Sequence, residues 1–98
     1  MKQVNVETAK SVDAALSEEL ASIPQVRHVL TERADGTLSV WIAVDDPTPE
    51  VRKKIYGREL HLLEEFSEIE FDFNLIYSLG RNAAEIATGA TVVYSRKD

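Results

Sequence analysis

The segment from Leu38 to Val44 constrains the fold more than any other. Leu38, Val40, Ile42 and Val44 share one parity, and Trp41 and Ala43 share the other. Successive side chains of a strand point to opposite faces. A strand that is apolar on both faces must be covered on both, so this one belongs inside a sheet with material above and below it. A chain of 98 residues has room for one such sheet around one core. Folding buries roughly 60–70% of the unfolded surface at this length, so neither a metal nor a disulfide is needed to hold it.

The flanking segments define what surrounds that strand. Ala34-Asp35-Gly36-Thr37 precedes it, and Asp-Gly tolerates the positive φ angles of a tight hairpin turn. On the other arm, Gln25 to Arg33 mixes Val26, His28, Leu30 and Glu32 on one parity with Arg27, Val29, Thr31 and Arg33 on the other. Neither face is purely apolar, which predicts a strand at the sheet edge. Upstream, Ala9, Val12, Leu16, Leu20 and Ile23 recur at three- and four-residue steps and predict a helix from Glu7 to Ser22. Pro24 ends it by disfavouring helical geometry at Ile23.

A second helix follows the turn Asp45-Asp46-Pro47. Thr48 suits the N-cap, Pro49 the first helical position and Glu50 the first turn. Val51, Ile55, Leu62 and Phe66 fall within about 60° of one another on the helical wheel. Tyr56, Leu60 and Leu63 widen the arc to about 180°, so the helix, ending near Glu65, should meet a sheet and a second neighbour. Ile69 to Ser78 alternates as a half-buried strand. Arg81 to Ala87 predicts a short helix ended by Thr88-Gly89, and Thr91 to Ser95 a β-branched closing strand. The order α-β-β-α-β-α-β defines a single α+β domain over residues 1–98, a mixed sheet with helices packed on it.

Charge and composition narrow the partners. Seventeen acids against eleven basic residues give a formal charge of −6. Such a surface repels phosphate backbones and anionic lipid headgroups, so neither nucleic acid nor membrane is expected as a partner. The chain has no cysteine, which excludes a disulfide framework, a thiolate zinc site and a cysteine nucleophile. No apolar run approaches the ~20 residues that span a bilayer. Met1-Lys2-Gln3-Val4 opens no signal peptide, and the expected location is the cytoplasm.

Few residues suggest chemistry. Glu70 and Asp72 lie two apart on one strand and share a face, and Asp45 and Asp46 end the central strand. Together they are candidates to hold Mg²⁺ through oxygen ligands, with Asp72 and Glu70 as catalytic candidates and Asp45, Asp46 and Asp72 as metal candidates. The simpler expectation is a solvated polar face. His28 and His61 are far apart in sequence and have no partner ligands at zinc spacing. Glu59 falls inside the apolar arc of the second helix, where a carboxylate costs free energy unless it is paired, and Arg52 lies two turns earlier on that side. Phe71 and Phe73 resemble the stacking pair of an RNA-binding sheet, but no basic residues interleave them, so core packing is expected. No phosphate-binding glycine loop or nucleophile motif occurs, and no cofactor is expected.

Leu38–Asp45, Pro49–Tyr56, Ile69–Ile76 and Glu85–Arg96, within the segment Val26 to Arg96, together resemble a minimal nucleotidyltransferase domain of the toxin–antitoxin type. Leu38–Asp45 is similar to that family's second strand, and Pro49–Tyr56 to its following helix. Ile69–Ile76 resembles its third strand, and Glu85–Arg96 its closing helix, glycine and strand. In active members two carboxylates start the second strand after a Gly-Ser. Here those positions are Thr37 and Ser39, and only Asp72 matches a carboxylate of the family. One carboxylate cannot hold two metals, so the resemblance implies a degenerate, non-catalytic member. A ferredoxin-like plait shares nearly the same element order and implies a dimerisation or small-ligand regulatory module. The leading expectation is a small binding or interaction domain. It would join a homo-oligomer or a partner protein through the wide arc of the second helix or the Gln25–Arg33 edge. The alternatives are a Mg²⁺-dependent phosphotransfer enzyme and a ligand sensor with a pocket against Trp41.

Overall fold

The described residues of the computed structural model are 6–96 for the backbone and 12–96 for the side chains. The start Met1–Val4 and the side chain of Ala9 lie outside them. Seven elements follow in the expected order: α1 (Val6–Ala21), β1 (Val26–Ala34), β2 (Thr37–Val44), α2 (Pro49–Glu65), β3 (Glu70–Tyr77), α3 (Ala83–Ile86) and β4 (Thr91–Ser95). They form a single small α+β domain around a mixed four-stranded sheet of order β3-β2-β1-β4. β1 is antiparallel to both β2 and β4, and β2 is parallel to β3.

Local chemistry explains the element ends. Asp35 and Gly36 adopt φ of 52° and 80°, which suits a two-residue turn matched to the strand twist. Thr48 Oγ1 accepts from the Val51 amide at 3.2 Å, with Pro49 behind it, and this cap starts α2. Asn82 and Glu85 close a reciprocal capping box on α3.

The core lies on one side of the sheet. Leu38, Val40, Ile42 and Val44 of β2 meet Val12, Leu16 and Leu20 of α1 and Val51, Ile55 and Leu62 of α2. Both long helices therefore cover the same face. Burying each of these side chains contributes roughly 1.5–3 kcal/mol. The opposite parity carries Ala43 and Leu30, which are also fully buried. The link from β3 to β4 must travel from one sheet edge to the other, and Arg81 within it meets His28 on that face. The crossover thus meets the second face at its His28–Ala43 end, where both residues are buried, while Trp41 further along that face is half-buried.

The strand expected at an edge is internal. β1 pairs with β2 on one side and with β4 on the other, from His28 opposite Ser95 to Thr31 opposite Thr91. Its mixed pattern has another cause. His28 is buried with hydrogen-bond partners at both ring nitrogens, Thr31 is buried on the helix-side face, and Glu32 and Arg33 are exposed toward the hairpin turn. The sheet also departs from the plait, whose βαβ units are split by another strand. In this chain β2 and β3 are direct neighbours. Arg96 ties the end of β4 to the end of α1. It donates to the carbonyls of Ala21, Ile23 and Val26 at 3.0–3.2 Å.

Candidate functional site

The carboxylates separate into two places. Glu70 and Asp72 project from the sheet face opposite the long helices, opposite Thr37 and Ser39 of β2. The Thr37 hydroxyl donates to Glu70 Oε2 at 3.1 Å, and Asp72 is exposed. Asp45 sits beyond the other end of β2, where it accepts a short hydrogen bond from Ser78 and pairs with Arg27 at 3.5 Å. The strand from Ser39 to Asp45 spans roughly 20 Å. Asp46 is exposed beside Asp45. No single ion can therefore take ligands from all four. No group of three or more metal-binding side chains forms among the described residues.

The histidines have local partners. His28 is buried, with Nδ1 2.8 Å from Ser95 Oγ and Nε2 3.1 Å from the Arg81 carbonyl. A carbonyl only accepts, so Nε2 carries a proton and donates to Arg81, while Nδ1 shares a hydrogen bond with the Ser95 hydroxyl. The ring thus pins the crossover onto the sheet. His61 is exposed and meets the Glu19 carboxylate at 3.1 Å. Trp41 stands half-buried on the crossover face, opposite Leu30 and Asn74 in the ladder. It does not line the cleft between α1 and α2 described below.

The edge of β3 is the distinctive surface. β3 is terminal in the sheet, so the outer side of its backbone has no strand partner among the described residues. Phe71, Phe73 and Leu75 are only partly buried on its helix-side face, with the two Phe rings stacked 5.0 Å apart, and Tyr77 is half exposed there. The phenylalanines are thus core-facing, as expected, although the edge leaves them incompletely covered. Arg52 Nη2 donates to Tyr77 Oη at 3.2 Å, which shows the flank of α2 that overlooks β3. Tyr56, Glu59 and Leu63 share that flank at helical spacing, with Leu60 next to them. Tyr56, Leu60 and Leu63 are 50%, 61% and 40% exposed. The wide apolar arc seen in the sequence therefore covers more than the core.

Glu59 lies within this apolar strip without a hydrogen-bond or ion-pair partner among the described residues. Arg52, the candidate partner, donates instead to the Pro47 carbonyl and to Tyr77. Burial alone pushes the Glu59 carboxyl up to about 7. Sequence reasoning singled out Glu59 and the arc but assigned the free edge to the wrong strand. Which strand ends the sheet depends on non-local pairing, and no local signal in β3 marks it.

No known protein family and no curated protein matches the chain. No helix among the described residues is long and apolar enough to cross a membrane.

Proposed function

We propose that the chain is a non-catalytic interaction domain that pairs with a second copy of itself along the outer edge of β3. The observation that carries this reading is the contrast between the two sheet edges. β4 is only five residues long and its ladder with β1 is irregular, and both features discourage further pairing. β3 runs eight residues in unbroken register with β2, without proline or lysine, beside an exposed apolar helix flank. Long regular edges of this kind invite another strand.

The sequence of β3 is self-complementary about Asn74. Antiparallel pairing on a two-fold axis there sets Phe73 opposite Leu75, Phe71 opposite Tyr77 and Asp72 opposite Ile76. No acid meets an acid, and apolar residues of the helix-side face meet each other. α2 runs back along β3, and Arg52 overlies Tyr77. Three strand residues span ~10 Å, or about seven residues of helix, which sets Glu59 above Asn74. The Tyr56–Leu63 flanks of the two copies would then face each other across the axis.

The same register bears on the nucleotidyltransferase resemblance. Its three carboxylate positions, Thr37, Ser39 and Asp72, lie together on one face, with Ser39 directly opposite Asp72. Two of them are hydroxyls, which supports a scaffold of that type with its metal chemistry lost. With no cysteine to oxidise, the cytoplasm is the setting we propose.

Sedimentation equilibrium tests the pairing. The expected mass is about twice the 11.0 kDa of one chain, and the double variant Tyr56→Lys, Leu63→Lys should return to one chain. A wild-type mass of one chain at every concentration would overturn the reading. Calorimetry with Mg²⁺ and ATP tests the enzymatic alternative. Binding heat with turnover that is lost in Asp72→Asn would replace the interaction reading.

A further inference from the structure

The opposite flank of α2 carries a second feature, independent of the β3 edge. A cleft of about 470 Å³ opens where the end of α1 meets the middle of α2. Its floor is Ile23 and Pro24, and its wall is Lys53, Lys54, Arg58 and His61. These side chains recur at positions 53, 54, 57, 58 and 61, one stripe of the helix, with Gly57 among them. Gly57 has open space where a Cβ would stand, so the missing side chain widens the cleft. A mid-helix glycine costs about 1 kcal/mol against alanine, and here the gap it leaves adjoins the cationic wall.

The charge of this cleft opposes that of the molecule. A chain of net −6 gathers three of its eleven Lys and Arg side chains, and one of its two histidines, around one concavity. Among the described residues one acid pairs with the wall: Glu19 holds Arg58 at 3.5 Å and His61 at 3.1 Å. The C-terminal end of α1 would normally repel an anion. Here Arg96 takes the carbonyls of Ala21 and Ile23, and the Ser22 hydroxyl takes that of Glu19. The partial negative charge of the helix end is thereby offset.

We infer that this cleft binds a small, multiply charged, phosphate-bearing molecule. Lys53 and Lys54 supply compact point charges for phosphate oxygens, and Arg58 supplies a planar fork that can leave Glu19 for a stronger acceptor. The apolar floor seats the uncharged part of the ligand. A cleft of this volume lies within the 300–1,000 Å³ range of small-molecule sites. A singly charged carboxylate offers these cations too little in exchange for their hydration, and a polyanionic helix meets repulsion from the rest of the surface.

Titration with inorganic pyrophosphate at low ionic strength, followed by amide NMR, tests the inference. The expected result is saturable one-to-one binding, with shifts concentrated at residues 22–25 and 53–61. Affinity should fall roughly tenfold or more in Lys53→Gln, Lys54→Gln, as the loss of two charge-assisted contacts implies. Glu19→Gln, which removes the competing carboxylate, should tighten binding several-fold. Shifts that do not saturate, shifts spread over the whole surface, or affinity unchanged in the lysine double variant would each overturn it. Lys53 and Lys54 are exposed and Glu19 is partly buried behind the wall, and the amide spectrum itself reports whether each variant folds.

Discussion

Replacing Glu59 by Gln should stabilise the protein at pH 8 and leave its stability unchanged at pH 4. Burial lifts the Glu59 carboxyl from 4.5 to about 7 in the folded chain. The folded state then holds this proton more tightly than the unfolded state does. Between pH 4.5 and about 7 folding binds a proton, so stability falls as pH rises through that window. Above it the full penalty of a charged, unpaired carboxylate remains. At 1.36 kcal/mol per pH unit such a rise corresponds to about 3 kcal/mol. Glu59 is only half-buried, and solvent screening reduces this to about 1 kcal/mol. Glutamine keeps the shape and removes the charge. Urea unfolding of wild type and Glu59→Gln at both pH values reads the difference. The expected shift at pH 8 is about 1 M in the midpoint, for a slope near 1 kcal/mol/M. Equal effects at pH 4 and pH 8, or a less stable variant at pH 8, would refute burial as the origin of the raised pKa. Asp13 is also raised by burial, with Arg33 opposing, but it titrates alike in both proteins and cancels from the comparison.

Three further outcomes follow from the same geometry. Self-association should strengthen as pH falls toward about 7 and level off below it, because pairing withdraws Glu59 further from water and lifts its carboxyl above the single-chain value, and Glu59→Gln should flatten that dependence in a sedimentation series. Gly57→Ala should raise stability by about 0.5–1 kcal/mol in thermal or urea unfolding, since the site is helical with room for the methyl group. Ile55→Ala should cost about 2–5 kcal/mol by the same assay, because Ile55 is fully buried between α2 and the sheet.

The sequence and the structure agree where local chemistry decides. β2 reads as central because both its parities are apolar, and it is. Thr48-Pro49-Glu50 reads as a helix start, and the Thr48 side chain caps α2. Asp35-Gly36 reads as a tight turn, and both residues take positive φ. Agreement fails where the order of strands matters. Polar residues in β1 suggest an edge, but β4 returns across the molecule to cover it, with partners 60 to 67 residues away along the chain. The true edge, β3, has the same alternation an internal strand could have. The cationic stripe of α2 was present in the sequence as Lys53, Lys54, Arg58 and His61, but its meaning depends on α1 ending beside it. Glu70 and Asp72 share a face as their spacing required, whereas their distance from Asp45 depends on their lying near one end of the β2–β3 ladder and Asp45 beyond the other.

A single engineered cysteine tests the central claim most directly, because the chain has none of its own. In an antiparallel pair on a two-fold axis, Asn74 faces its own copy with Cα atoms about 4.5–5.5 Å apart, within the reach of a disulfide. Asn74→Cys should oxidise rapidly to a covalent dimer that keeps the wild-type spectrum. Val92→Cys, exposed on the opposite edge, serves as the control and should oxidise slowly. Equal rates for the two variants would contradict pairing through β3.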